Sequence, residues 1–354
     1  MTYQTTTRLL KVNPEAPEPA LIAQAAQVLR HGGLVAFPTE TVYGLGANAL
    51  DENAVSRIFA AKERPASDPL IVHVSSTGEL SQVAMEIPPL AWQLINRFWP
   101  GPLTLVLKRG LLVPPNVTAG APTVAVRMPR HPVALALLSA ADMPVAAPSA
   151  NLFSRPSPTT AAHVLEDLNG RVDIVLDGGP TTVGVESTVL DLTQTPPCVL
   201  RPGGVSLEAL RRLIPDVAFR AKYAAENEQV AAPGMLLKHY SPRAQLVLLN
   251  GEREAVLRAM QAQARAEQEA GRRVGFLLVD EDLPLLGQQE GIVESLGAVA
   301  DAEAVARRLF AALRSLDARG VDVIFARALP RDGLGLAVWD RLMRAAEGRI
   351  VDVE

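Results

Sequence analysis

The sequence predicts an α/β protein in two parts: a twisted mixed sheet with helices, followed by a smaller Rossmann-like α/β domain. Three observations lead there. Short apolar runs alternate with segments of helical spacing along most of the 354 residues, as layered α/β folds require. The prolines divide unevenly, with 24 of the 28 in residues 1–215 and four in residues 216–354. The stretch 216–243 is polar and alanine-rich, then carries Pro233-Gly234 and Pro242, which is the composition of a connector. The expected domains are therefore 1–215 and 244–354, with 216–243 as linker.

In the first part, residues 19–31 have apolar side chains at helical spacing, and Gly32-Gly33 ends the helix. Residues 34–37 form a short strand stopped by Pro38, and a polar loop follows. Residues 53–62 read as a helix that must end before Pro65, because a residue preceding proline avoids helical backbone. Strands are expected at 70–74, 103–107, 124–127, 145–147, 174–177 and 187–191, and helices at 90–98, 131–141 and 160–168. A short helix at 206–213 has Ser206 as its N-cap. In the second part, strands at 245–249, 274–279, 292–296 and 321–325 alternate with helices at 253–269, 302–316 and 335–346, the rhythm of an open sheet.

Composition narrows the function. With 48% hydrophobic and 20% charged residues, both parts can bury a core, which excludes a disordered chain. No apolar run approaches the roughly 18 residues of a membrane span, and the N-terminus lacks a signal pattern, so a cytoplasmic protein without membrane association is expected. A single cysteine, Cys198, rules out an internal disulfide and a cysteine-built metal cage, and its apolar setting reads as packing. The net charge is −1 over residues 1–215 and −3 over the rest, so no stable grip on tRNA or other long nucleic acid is expected. A small anionic ligand needs only a few local cations.

Known short motifs are mostly missing: there is no phosphate-binding loop ending in Gly-Lys-Ser/Thr, no His-Glu-x-x-His and no nucleophile elbow. Gly44-Leu-Gly46-Ala-Asn-Ala49 matches a dinucleotide fingerprint, but six residues separate it from the strand ending at Pro38; the plainer reading is glycine for close backbone approach. More informative are polar residues set beside prolines at strand and helix ends. They include Thr39 after Pro38, Lys62 and Arg64 before Pro65, and Asp68 before Pro69 with His73 beyond. Thr123 and Arg127 precede Pro129, Ser149 and Asn151 follow Pro148, Ser157 lies beyond Arg155-Pro156, Ser187 follows Glu186, and Arg201 precedes Pro202. Each has a plain local role: Lys62 can complement a helix C-terminus, Arg127 and Arg201 can form surface ion pairs, Ser149 and Asn151 can be turn residues, and His73 can be a satisfied core histidine. Together they supply four cations (Lys62, Arg64, Arg127, Arg201) among neutral donors at strand ends, which suits a ligand bearing phosphate and carboxylate.

These motifs, in this order, resemble the YrdC family. The stretches LVAFPTETVYGLG, KERPASDPLIVHV, FWPGPLTLVL, VAVRMP, APSAN, ESTVLD and RPGG carry the resemblance over about residues 15–215. Lys238-His239-Tyr240-Ser241-Pro242 and the closing GLGLAVWDRLMRAAEGRI look like the long, two-domain Sua-type form. The resemblance implies a YrdC-like catalytic domain and an L-threonylcarbamoyladenylate synthase activity, a nucleotidyl transfer consuming L-threonine, bicarbonate or carbon dioxide, and ATP. Its product serves the threonylcarbamoyladenosine modification of tRNA beside the anticodon, through separate threonylcarbamoyl-transfer machinery. It further implies that Lys62, Arg64, Ser149 and Asn151 act at the phosphates, and that Arg64, Asp68, Thr123, Ser149, Ser157, Arg201 and His239 contact ATP. Thr39, His73, Arg127, Ala147 and Ser187 would line the threonine pocket, Arg127 taking the carboxylate, with Tyr43 nearby. The family often has Asn at position 68, where a carboxylate would repel phosphates, and Ala147 replaces a usual serine or threonine, so any contact there uses backbone. Magnesium is expected to bridge the phosphates, with no protein ligand assigned. Residues 216–243 are expected to fold as a lid with His239 on ATP. Two other readings stay open: an RNA-binding module of the same fold, and a related carbamoyl-transfer enzyme of hydrogenase maturation, whose zinc-finger-like parts one cysteine cannot supply.

Overall fold

The computed structural model describes residues 5–219, 239–286 and 291–354. It divides into two compact units, Met1–Phe153 with Ser157–Leu236, and Ser154–Pro156 with Leu237–Glu354. Most of the expected linker 216–243, residues 220–238, lies outside the described residues.

In the first unit the strands are β1 (Arg8–Lys11), β2 (Val35–Pro38), β3 (Tyr43–Asn48), β4 (Ile71–His73), β5 (Ala84–Met85), β6 (Leu103–Arg109), β7 (Thr123–Arg127), β8 (Val145–Ala146), β9 (Ile174–Asp177), β10 (Thr188–Asp191), β11 (Cys198–Arg201) and β12 (Ala218–Phe219). They form one mixed sheet in the order β1-β9-β2-β3-β8-β4-β7-β6-β10-β11-β12, with β5 paired to β6. The main helices are α1 (Pro19–Arg30), α2 (Glu52–Lys62), α3 (Leu80–Val83), α4 (Pro89–Phe98), α5 (Pro132–Ala141), α6 (Ala161–Leu168) and α7 (Leu207–Arg211).

The two faces of this sheet are covered differently. Apolar residues of α2 (Ala54, Val55, Ile58), α4 (Leu94, Ile95) and α6 (Val164, Leu168) pack with Leu45, Val72, Leu105, Val126, Leu190 and Val199 on one face. Because side chains alternate along a strand, the neighbouring residues point to the other face. There α1 and α5 cover Val35, Phe37, Val145, Ala147, Ile174 and Leu176. The rest of that second face carries only a small apolar cluster, Ile71, Val106, Ala125, Val189, Cys198 and Leu200, and the polar residues described below. Cys198 is buried there, as its sequence setting implied.

One element departs from expectation. The polar loop after Pro38 is a tight turn into a further strand, β3, which runs antiparallel to β2 with Pro38 opposite Tyr43 and Val35 opposite Gly46. The glycine pattern therefore lies on a strand. A Cβ on Gly46 would stand 2.9 Å from both the Phe37 ring and Val145, so these glycines serve close packing. Strands β1, β5, β11 and β12 were also not expected.

The second unit is an all-parallel sheet of β13 (Gln245–Gly251), β14 (Val274–Leu278), β15 (Ile292–Ser295), β16 (Val323–Arg327) and β17 (Ile350–Val353), in the order β15-β14-β16-β13-β17. The helices α8 (Arg253–Glu269), α9 (Leu283–Leu286), α10 (Ala302–Ala318) and α11 (Gly335–Ala345) connect them, which is the expected Rossmann-like domain with one more strand. No described helix is long and apolar enough to cross a membrane.

Candidate active site

Part of the polar set singled out in the sequence gathers on the less-covered face of the first sheet. Along β7, Thr123, Ala125 and Arg127 share that face, because Val124 and Val126 belong to the opposite core. His73 is the ladder partner of Arg127, since β4 and β7 run parallel. In a mixed sheet, strand beginnings and strand ends meet at one edge. His73 and Arg127 close their strands, whereas Ser187 precedes β10 and Thr123 opens β7. What these four share is a face.

Arg127 is 3% exposed. Its Nη1 donates to Thr41 Oγ1 (3.0 Å), its Nε to the Gly101 carbonyl (3.2 Å), and its Nη2 lies 2.7 Å from Glu40 Oε1. Thr41 is set by the β2–β3 turn, where Thr39 Oγ1 donates to the Val42 carbonyl (2.6 Å) and meets Thr41 Oγ1 (2.8 Å). Thr39 therefore reaches Arg127 through Thr41. His73 is buried against the edge of Phe37, and burial first, then the Arg127 charge, lowers its pKa to about 3. It is a neutral group at physiological pH. Tyr43 donates to the Gly179 carbonyl (2.7 Å), and burial pushes its phenol above the ordinary range.

Arg201 reaches the same face because of a β-bulge. Leu190 pairs with Val199 and Val189 with Arg201, so Leu200 is an extra residue. Were Leu200 to occupy a regular rung, Arg201 would share the face of Val199, two residues before it, and enter the opposite core. With the bulge, Arg201 donates to the carbonyl of Ser187 (2.9 Å) and to Ser187 Oγ (3.2 Å), which also meets Thr104 Oγ1 (2.8 Å).

A second group forms around the end of α2. Asp51 caps the helix start, and Lys62 is its last residue. The Lys62 ammonium is buried and donates to the carbonyls of Ser149 and Asn151, each at 2.5 Å. The expected association of these three residues is present, but through backbone oxygens. Glu63 then adopts left-handed backbone (φ 54°), which turns the chain toward Arg64. Arg64 Nη2 is 2.9 Å from Asp68 Oδ2 and donates to the Pro69 carbonyl (2.8 Å), and Nε donates to the Asp68 carbonyl (3.1 Å). The carboxylate at position 68 is thus balanced by Arg64. Ser157 donates to the buried Glu186 carboxylate. Ala147 spends its N–H on the Ile71 carbonyl (2.9 Å), so only its carbonyl and methyl are available to a ligand. Thr123 lies four positions before Arg127, about 13 Å along the strand.

His239 belongs to the second unit, where its ring meets Tyr240 edge-on at 4.0 Å. The expected lid lies largely outside the described residues. Sequence reasoning missed Glu40, Thr41 and Thr104. Glu40 stood within a quoted motif, but only its burial, 2% exposed, marks it out. Among the described residues no group of three or more His, Cys, Asp or Glu is placed to hold a metal ion.

Comparison with known proteins agrees with this architecture. Residues 27–203 match the Sua5, YciO and YrdC family model, described as telomere recombination, and residues 205–347 match the model described as threonylcarbamoyl-AMP synthase, C-terminal domain. Threonylcarbamoyl-AMP synthase of Pyrococcus abyssi is 48% identical over 331 residues, 93% of this chain and 95% of its own length. That of Bacillus subtilis is 46% identical over 331 residues, covering 93% and 94%. The crystal structure of P. abyssi Sua5 complexed with L-threonine superposes with a TM-score of 0.92 at 46% identity, covering 98% of this chain and all of that one. With both family models matched in order and relatives of this identity covered end to end, the chain belongs to the Sua5/YciO/YrdC family in its two-domain form.

Proposed function

We infer that this chain forms threonylcarbamoyl-AMP from L-threonine and ATP. The likeness to relatives of that name over more than nine-tenths of both chains carries the reading. The threonylcarbamoyl carbon comes from bicarbonate or carbon dioxide, pyrophosphate leaves, and the product goes to a separate transfer enzyme that modifies tRNA in the cytoplasm. A chain of net charge −4 suits an enzyme that need not grip tRNA itself.

The chemistry needs no enzyme nucleophile. Threonine's amine becomes a carbamate, a carbamate oxygen attacks the α-phosphorus of ATP, and the protein aligns the groups and balances developing charge. In our reading Arg127 takes the threonine carboxylate, with Thr39, His73, Ser187 and the Ala147 carbonyl lining the pocket. A neutral His73 beside Arg127 adds no competing charge. Lys62, Arg64, Ser149 and Asn151 serve the phosphates, and Asp68 orients Arg64. Thr123, Ser157 and Arg201 serve the rest of the nucleotide; the spacing of Thr123 from Arg127 suits a ligand longer than an amino acid. Magnesium would arrive on the phosphates as part of the substrate.

The test is pyrophosphate release from ATP and bicarbonate with and without L-threonine. Release that depends on threonine is expected, and release indifferent to it would overturn the reading. Arg127→Ala should raise the threonine requirement more than tenfold and the ATP requirement far less; equal effects would place Arg127 elsewhere.

A further inference from the structure

Glu40 has no part in the reaction as described so far, and its setting is unusual. Its carboxylate is buried beside Arg127, yet neither oxygen accepts a hydrogen bond among the described residues. The 2.7 Å approach of Arg127 Nη2 is a contact of charges without hydrogen-bond alignment, and that nitrogen likewise has no hydrogen-bond partner. Burying a carboxylate without donors is costly, and folded proteins rarely leave one so. The neighbouring backbone is not strained to produce it: the Glu40 carbonyl accepts the Val183 N–H at 2.7 Å, and both flanking threonines are hydrogen-bonded.

The pair Glu40–Arg127 is one anion and one cation in contact. A free α-amino acid carries the same two charges in reverse, a carboxylate and an ammonium. We propose that Glu40 is a catalytic residue: it receives the ammonium of the amino-acid substrate while Arg127 receives the carboxylate, and it then takes the proton that frees the amine. The inference rests on the proposed function. The exchange is electrically neutral, since each buried group trades one counter-charge for another, so no lone buried charge arises. The ammonium also brings the N–H donors that Glu40 lacks.

The proton step is balanced. One N–H bond of the ammonium breaks and its electron pair stays on nitrogen, while the proton forms an O–H bond on Glu40, giving –NH2 and –COOH. The nitrogen lone pair is then free to attack the carbon of carbon dioxide: the N–C bond forms as one C–O π pair moves onto oxygen, and the extra nitrogen proton passes to solvent, leaving the carbamate. Among the described residues no other anion contacts Arg127. The charged and titratable groups facing Glu40 are Arg127 from β7 and His131, the N-cap of α5, which feels the Glu40 charge and whose own pKa burial lowers. Thr39 and Thr41 present only hydroxyls.

The experiment compares the full-length chain with Glu40→Gln and Glu40→Asp, measuring kcat/KM for threonine in pyrophosphate release from about pH 7 to about pH 8.5. At about pH 7 the ratio of wild type to Glu40→Gln should be about 100 or more, and it should fall about tenfold per pH unit, because solution then supplies the free amine. Taking the ratio cancels the shared pH dependence of bicarbonate. Glu40→Asp, which keeps a carboxylate, should give a ratio that does not change with pH. An ATP KM within about twofold of wild type shows that the variants hold their fold. A pH-independent ratio for Glu40→Gln, or wild-type rates in it, overturns the proposal. A wild-type enzyme that releases pyrophosphate without threonine sinks the proposed function instead.

Discussion

Carboxylates buried in the second unit are satisfied in a way that Glu40, in the first, is not. In the second, Asp282 accepts from Arg253 Nε (3.0 Å) and Arg327 Nε (2.8 Å), and Asp317 accepts the backbone N–H groups of Arg243 and Ala244. Asp340 is held by Arg341 (2.7 Å) and Arg344 (3.1 Å). In the first, Glu40 meets one guanidinium and accepts no hydrogen bond among the described residues. A buried carboxylate surrounded by aligned donors belongs to the architecture of its own fold. One facing a cation without alignment is poised for a ligand. Both are equally hidden from solvent, so burial alone does not separate structure from function; the direction of the donors does.

That contrast can be broken at three points. Asp340→Ala removes a buried carboxylate that both Arg341 and Arg344 contact and should cost about 3 kcal/mol of stability, read by chemical denaturation. Pyrophosphate release measured well below the unfolding range should stay near wild type; a stable variant with lost activity would place Asp340 in the chemistry. Arg64→Ala should instead cut pyrophosphate release more than about tenfold, at least about 1.4 kcal/mol of transition-state stabilisation. A wild-type rate would make the Arg64–Asp68 pair purely structural.

The smallest effect concerns His73. Its pKa in the fold, about 3, lies below the unfolded value, so the unfolded chain takes up a proton first as pH falls. The stability it contributes is present above about pH 6.5 and is lost progressively as pH drops toward about 3. His73→Asn should therefore lose about 1 kcal/mol less than wild type between pH 7 and about pH 5.5, by denaturant titration at both. Parallel losses would mean that His73 is protonated in the fold.

Much of this was legible in the sequence, for reasons that differ by region. The helices of the second unit follow from sustained apolar spacing, and residues 253–269 are a helix as read. The four cations of the first unit stood beside prolines, whose fixed φ angles flag stiff turns. Strand β3 was not legible, because Gly44 and Gly46 resemble turn residues and only Phe37, packed over them, makes them strand residues. Glu40 was not legible either. A lone glutamate between two threonines has the pattern of a solvated turn, and its burial depends on Arg127, 87 positions later.

The bulge in β11 has a consequence for how this chain tolerates change. Leu200 fills apolar space, but it occupies no rung of the ladder to β10, which joins Val199 and Arg201 to adjacent residues. Losing one residue at position 200 would leave Arg201 opposite Val189 and on the same face. Losing Val199 instead gives a chain of the same length, in which Leu200 takes the rung opposite Leu190 and Arg201 keeps its own. The bulge at residues 199–200 is therefore a slack link, where chain length can fall by one without moving the arginine, whereas a second loss would shift the beginning of the strand by one place and reverse which side chains face the core.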